Sequence, residues 1–223
     1  MMKSVRKSPG PIREQPESPD QDRLKTTSPI LSQLEKRKQL YASFGYDIEG
    51  ERRAIIEAAL PLSGRILEAG TGKGHLAATL ARLGYRLVSF DLSEEQLRAA
   101  RDNLENQGLL HLVELKREDG EQLSFPDASF DVIFLVNVVH HLENPLAVLS
   151  ELIRVLRPGG KLVISDFSPE GLAMMAEVHR REGGEHQVSP IGLDQVEKAL
   201  LEKGFRVNRS GTRFQITLVA SKP

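Results

Sequence analysis

Three features of the sequence predict an α/β fold. Short apolar segments alternate with amphipathic stretches, a glycine-rich turn directly follows the first apolar segment, and two closely spaced strand-like segments end the chain. The expected architecture is a mostly parallel, seven-stranded sheet with helices on both faces and a C-terminal antiparallel hairpin.

Residues 1–29 hold five prolines among serines and charges, with hardly any large apolar side chains. Such a stretch buries too little surface to offset its ordering entropy, so it reads as a disordered tail. From residue 30 the pattern turns helical. Ile30, Leu31, Leu34 and Leu40 recur at helical spacings, and Tyr41, Phe44 and Tyr46 follow them. A second helix near 49–60 presents Ile55, Ile56, Ala59 and Leu60 before Pro61 stops it. Residues 30–60 therefore form an N-terminal helical cap, and the main domain spans 61–223.

Strands are expected near 65–69, 86–91, 111–116, 131–136 and 161–166, with helices near 74–83, 93–107, 145–156 and 169–181 between them. Segment 131–136 is apolar at successive positions, as befits a strand covered on both faces. Ser93 followed by Gln96 forms a capping-box pattern. Leu146, Leu149, Leu152, Ile153 and Leu156 make one stripe on helix 145–156, which Arg157-Pro-Gly-Gly160 ends. A last helix near 193–203 precedes strands at 205–208 and 214–220. The short link between those strands demands a hairpin, so one edge strand is expected to run antiparallel to the others.

The first strand ends in Glu68 and runs into Gly70, Gly72 and Gly74 at every second position. Glycines there let the backbone approach a ligand closely and take dihedrals forbidden to a β-carbon. This is not the dinucleotide fingerprint G-x-G-x-x-G, whose third glycine would fall on His75, nor a Walker loop. The second strand also ends in an acid, Asp91, 17 residues after Gly74. In Rossmann-like sheets an acid there accepts the ribose hydroxyls of a nucleotide.

Further motifs follow in order: Asp119-Gly-Glu-Gln-Leu-Ser-Phe-Pro-Asp-Ala-Ser-Phe-Asp131, Val132-Ile-Phe-Leu-Val136, His140-His-Leu142 and Leu156-Arg-Pro-Gly-Gly-Lys161. With the glycine turn, this series resembles class I S-adenosylmethionine-dependent methyltransferases over about residues 50–220. It is most similar to the small-molecule branch that includes the quinone-biosynthesis enzymes. The resemblance implies a Rossmann-like fold, S-adenosyl-L-methionine as co-substrate and S-adenosyl-L-homocysteine as product. It makes residues 30–60 a lid over cofactor and acceptor, with simple packing on the sheet as the alternative.

Residue by residue, the resemblance places Glu68 toward the methionine amino group, and Gly70, Gly72 and Gly74 against the methionine and ribose. Asp91 would take the ribose hydroxyls and Leu92 the adenine face. Asp119 would accept the adenine amino hydrogen, with the Gly120 amide on the ring nitrogen. Asn137 would sit where the transferred methyl emerges, its backbone carbonyl near the sulfonium. Val-Val-His follows Asn137 instead of Pro-Pro-Tyr, so the motif for adenine-N6 or glutamine-amide methylation is missing.

Composition excludes several classes. The absence of cysteine removes disulfides, thiolate metal sites and the enzyme-borne thiols used in cytosine-C5 and arsenic methylation. A net charge of −1 argues against a nucleic-acid partner or a membrane surface, and a cytoplasmic location is the default expectation. A phenol, amine or hydroxyl acceptor must lose a proton, which calls for a base. His140, His141, Asp166, His179 and His186 are candidates, with no metal expected. His179 and His186 flank an insert that shapes acceptor pockets in relatives, although exposed loop histidines are an equally ordinary reading. His140 and His141 read first as packing or pocket lining, with His141 kept as a catalytic candidate. Met174, Met175 and Phe167 fit either an apolar acceptor pocket or core filler. The expected function is methyl transfer to a small molecule by direct in-line displacement. The rivals are a protein or RNA methyltransferase and a non-catalytic, cofactor-binding regulatory protein.

Overall fold

Alternation along the strands decides the architecture, because successive side chains of a strand point to opposite faces. The computed structural model describes residues 39–181, 189 and 191–223. The chain divides into Met1–Gln39 and Leu40–Pro223. The expected tail at 1–29, the start of the expected cap and His186 lie outside the described residues.

The elements are α1 (Ile48–Ala59), β1 (Ile66–Ala69), α2 (His75–Arg82), β2 (Leu87–Asp91), α3 (Glu94–Asn106), β3 (Val113–Arg117), β4 (Phe130–Val136), α4 (Pro145–Val155), β5 (Leu156–Phe167), α5 (Pro169–Arg181), α6 (Leu193–Glu202), β6 (Arg206–Gly211) and β7 (Gln215–Ser221). They build a seven-stranded sheet of order β3-β2-β1-β4-β5-β7-β6. Strands β1 to β5 pair in parallel, and β7 is antiparallel to both β5 and β6.

Leu67, Ala69, Ile133 and Leu135 face one side, where Leu149 and Leu152 of α4 and Val196 and Leu200 of α6 cover them. Ile66, Val132 and Phe134 face the other, under Ile55, Ile56 and Ala59 of α1, Leu76 and Leu80 of α2 and Leu104 of α3. Each of these buried Leu, Ile, Val and Phe side chains contributes roughly 1.5–3 kcal/mol. A third cluster joins Met174 and Met175 to Tyr46 and Phe214, with Phe167 packed against it, so these methionines serve as core filler.

The structure corrects three expectations. The antiparallel strand is β7, which lies inside the sheet, and the edge is β6, parallel to β1–β5. Burial explains this. Leu218 and Ala220 of β7 are fully buried, whereas Arg-Val-Asn-Arg-Ser-Gly of β6 is almost wholly exposed, as a guarded edge should be. Leu146 is 43% exposed, and Val148 and Val155 complete the buried stripe of α4 instead. The helix expected to run to residue 156 and to be ended by Arg157-Pro-Gly-Gly160 stops at Val155, and those four residues bulge within β5, whose pairing jumps from Leu156↔Phe130 to Lys161↔Val132.

Strand order reverses between β1 and β4, whose other neighbours, β2 and β5, lie to opposite sides. In open α/β sheets this switch point opens a crevice at the carboxyl ends of the strands, where ligands bind. Among the described residues no helix is long and apolar enough to cross a membrane.

Candidate active site

A cavity of about 800 Å³ opens at that switch point. The turns after β1, β2 and β4, the loop after β3, and Arg52 of α1 line it.

Glu68 is the penultimate residue of β1 and is only 2% exposed. Its Oε2 accepts the Ser89 hydroxyl at 2.5 Å, and Ser89 Oγ lies 2.6 Å from Thr71 Oγ1. Since the Ser89 proton is directed at Glu68, Thr71 must donate to Ser89, and the three side chains form one buried chain. Burial pushes the Glu68 carboxyl from 4.5 up to about 8, against the lowering pull of Ser89, the Ala77 amide and Arg52.

The glycine turn has φ of +81° at Gly70 and +50° at Gly72. The Gly70 and Thr71 amides both donate to the Phe90 carbonyl at 2.9 Å, which ties the turn to β2. A β-carbon on Gly70 would sit 2.4 Å from Val138 Cγ2, whereas one on Gly72 would meet nothing within 4 Å. Gly70→Ala should therefore lower the unfolding free energy by roughly 2–4 kcal/mol, from left-handed strain plus overpacking. Gly72→Ala should lose only about 1–2 kcal/mol. Denaturant midpoints check this, and equal losses at the two positions would contradict the packing account.

Gly74 does not line the cavity. It caps α2 with φ +72°, and an added Cβ would stand 3.0 Å from Ala100 Cβ, so its lack of a side chain serves the approach of α2 to α3.

At the end of β2, Asp91 is held from two sides. Oδ2 accepts the Gly72 amide at 2.9 Å and Oδ1 the Ser93 amide at 3.0 Å. Each oxygen keeps a further lone pair for a ligand. Ser93 also caps α3, accepting the Gln96 amide at 3.3 Å. Leu92 is 59% exposed and offers its side chain to the cavity, with Leu142 and Val148 also on the wall.

Asp119 and Gly120 line the cavity from the loop after β3. Asp119 Oδ1 accepts the Glu121 amide at 2.9 Å, which fixes the local turn. Arg154 of α4 ties down the rest of that loop by donating to the Leu123 and Phe125 carbonyls, both at 2.9 Å, while pairing with Glu151 and Asp127.

Asn137 follows β4 with φ +57°, and its amide donates to the Ser165 carbonyl at 2.8 Å. Asparagine tolerates this left-handed backbone better than most residues. Its side-chain Oδ1 is buried without a hydrogen-bond partner, although the residue lines the cavity. A buried oxygen left unpaired in this way is unfavourable unless a ligand meets it.

The histidines separate. His141 is exposed and on the cavity wall, its ring 3.9 Å from that of His140. His140 is buried beside Asp166. Its amide donates to Asp166 Oδ2 at 3.0 Å, and its Nδ1 lies 2.5 Å from Asp166 Oδ1. Both residues border a smaller cavity of about 230 Å³ with Phe167, Leu172 and Ile191. His179 lines neither cavity; its Nδ1 donates to the Met175 carbonyl at 2.8 Å, one turn back in α5.

Sequence reasoning missed Arg52, Thr71 and Ser89. Arg52 shares the α1 face of Ile56 and Ala59, and that spacing is the one signal able to find it. The pairing of His140 with Asp166 needs the sheet to bring 26 residues of separation together.

The methyltransferase-domain family matches residues 67–164. The chain is 36% identical over 146 residues to 27-O-demethylrifamycin SV methyltransferase of Amycolatopsis mediterranei, covering 63% of this chain and 53% of that one. It is 34% identical over 151 residues to phosphatidylethanolamine N-methyltransferase of Cereibacter sphaeroides, covering 67% and 74%. It is 31% identical over 140 residues to the ubiquinone/menaquinone biosynthesis C-methyltransferase of Hydrogenovibrio crunogenus, covering 61% and 55%. The chain thus spans about half the length of the first and third of these relatives.

Proposed function

Because this chain belongs to the class I S-adenosylmethionine-dependent methyltransferases, we propose that it transfers a methyl group to a small-molecule acceptor by direct in-line displacement. The observation that carries this reading is the order of groups along the larger cavity: a buried acid, a glycine turn, an acid held by two amides, and a buried, unpartnered asparagine oxygen.

S-adenosylmethionine supplies a methyl carbon already activated by the sulfonium. Glu68 would hold the amino group, Asp91 the ribose hydroxyls, and Leu92 with Leu142 and Val148 the adenine faces. Asp119 and Gly120 would meet the adenine edge. Gly70 and Gly72 keep the floor low enough for the ligand, and Asn137 faces the reacting end. Helix α1, carrying Arg52, would close one end of the cavity as part of the N-terminal cap.

The acceptor atom is not set by this machinery, for the relatives are named for oxygen, nitrogen and carbon methylation. His140 and Asp166 favour an acceptor that must lose a proton. With Nδ1–H donated to the Asp166 carboxylate, the imidazole lone pair resides on Nε2, and the carboxylate stabilises the imidazolium formed when a proton arrives. His179 lines neither the larger nor the smaller cavity, so His140 replaces it as the favoured base.

Incubation with methyl-labelled S-adenosylmethionine and a panel of small phenols, hydroxyls, amines and carbon acids tests the reading. Label transfer to at least one small acceptor is expected. Binding without transfer to any of them would favour the regulatory alternative, and transfer only to protein or RNA the macromolecular one. With the acceptor so found, His140→Gln should lower kcat by roughly 10²–10⁴. It should leave S-adenosylhomocysteine affinity within twofold and remove the limb of the pH–rate profile due to the base. An unchanged profile would return His140 to a packing role.

A further inference from the structure

The smaller cavity, of about 230 Å³, borders the larger one along the turn that follows β4. Val138 and His141 of that turn line the larger cavity, whereas Val139 and His140 line the smaller. Phe167 at the end of β5, Leu172 of α5, Ile191 and Ile216 of β7 supply much of the remaining wall, and all four are only partly buried. The Ser189 amide ties this wall to the turn by donating to the His140 carbonyl at 2.8 Å. Asp194, in the first turn of α6 and 82% exposed, stands at the mouth with Arg209 of β6. An ordinary packing void is closed and apolar throughout. This cavity opens to solvent beside an ion pair.

The charges that border it are already matched within the protein. Asp166 accepts the His140 amide at 3.0 Å and the Phe167 amide at 2.8 Å, and its Oδ1 also meets the His140 ring. Arg209 donates to Asp194 at 2.9 Å and to Glu197. Among the described residues, then, the wall holds no acid or guanidinium lacking a counterpart. A carboxylate or ammonium that entered would lose hydration and find no counter-ion. An uncharged apolar body would instead displace water from Val139, Phe167, Leu172, Ile191 and Ile216. The volume lies below the roughly 300–1,000 Å³ typical of sites for drug-sized ligands, which suits a body of one or two rings.

We propose that the smaller cavity holds the methyl acceptor, and that this acceptor is a small uncharged molecule with an apolar ring body. Its nucleophilic atom reaches past the Val139–His141 turn to the Asn137 end of the larger cavity. This rests on the larger cavity being the S-adenosylmethionine site, and it names the acceptor class that the methyl-transfer reading leaves open. In the transfer, the bond from the acceptor atom to the methyl carbon forms while the carbon–sulfur bond breaks, its electron pair staying on sulfur. A hydroxyl acceptor gives its proton to the base.

Titration of the full chain saturated with S-adenosylhomocysteine, which keeps the probes out of the larger cavity, tests this with three compounds on one ring system. They are 2-naphthol, the anion 6-hydroxy-2-naphthoate and the cation 6-(aminomethyl)-2-naphthol. The uncharged probe should bind at least tenfold more tightly than either charged one. Leu172→Trp, which fills the cavity, should weaken 2-naphthol at least tenfold and leave S-adenosylhomocysteine affinity within twofold of wild type. It should raise the KM of any acceptor that takes the methyl label by a similar factor. Ile191→Trp should repeat the effect from another part of the wall, which guards against a folding defect in the first variant. A charged probe that binds as tightly as 2-naphthol would overturn the acceptor class. No binding of 2-naphthol, or unchanged affinity for it in both tryptophan variants, would overturn the site. Wild-type protein that fails to bind S-adenosylhomocysteine would instead overturn the cofactor reading beneath it.

Discussion

Replacing Asp91 by alanine is expected to raise the dissociation constant of S-adenosylhomocysteine by roughly 100-fold or more, with methylthioadenosine losing as much. The ribose is common to both ligands, and a carboxylate accepts its two hydroxyls at once. Each charge-assisted hydrogen bond contributes about 1.5–3 kcal/mol, and 1.4 kcal/mol is a tenfold change. The carboxylate is already aimed by the Gly72 and Ser93 amides, so little ordering is left for the ligand to bring about. The same substitution removes those two bonds in the free protein. A thermal melt without ligand should accompany the titration, so that a loosened glycine turn is not mistaken for a lost contact. Unchanged affinity in a folded variant would mean that the ribose lies elsewhere.

Glu68→Gln should act on stability and binding in opposite senses. The Glu68 carboxyl is raised from 4.5 to about 8 in the folded chain, chiefly by burial. A group raised on folding favours the folded state below its unfolded value, and that contribution is lost as pH climbs toward the folded value. Between pH 4.5 and 8 the unfolded chain ionises this carboxyl freely while the folded chain holds its proton, so the free protein is progressively destabilised. Glutamine has no proton to lose and still accepts the Ser89 hydroxyl. The variant's melting temperature should therefore exceed the wild-type value by a margin that grows across this window and levels off above it. The margin corresponds to a free-energy difference of the order of a few kcal/mol. Arg52, His75 and Asp91 line the same cavity, but they are common to both proteins, so the difference curve isolates Glu68.

Binding should move the other way. An ammonium on Glu68 favours the carboxylate, so wild-type protein should release up to one proton on binding S-adenosylhomocysteine at pH 7. Calorimetry in buffers of different ionisation enthalpy measures that proton. The glutamine variant should release none and bind more weakly. A margin that stays flat with pH would show that Glu68 is ionised in the free protein.

The sequence carried much of the fold because its signals are local. Glycines at positive φ, the Ser93 cap and the closeness of β6 to β7 are each specified within a few residues, and all appear where the sequence puts them. Most of the cavity wall was legible for the same reason: Glu68, Gly70, Gly72, Asp91, Leu92, Asp119, Gly120 and Asn137 all end a strand or follow one, and the sheet gathers strand ends at one edge.

Elsewhere local signals misled or were silent. Leu146 fits a helical stripe by spacing yet faces water, because the neighbours of α4 come from β4, β5 and α6 and select Val148 and Val155 instead. Gly74 follows the same two-residue spacing as Gly70 and Gly72, yet Ala100 of α3 is what it accommodates.

By itself, then, the sequence determined the α/β class, the glycine turn and the acids at the strand ends, for these depend on backbone dihedrals and side-chain alternation over a few residues. Only the tertiary structure decided which groups meet. It placed β7 inside β6, set His140 on Asp166, built the Thr71–Ser89–Glu68 chain and turned Arg52 of α1 toward Glu68. The physical reason is that the ionisation of a buried carboxyl or the orientation of an imidazole is fixed by the few atoms around it, and here those atoms come from distant parts of the chain.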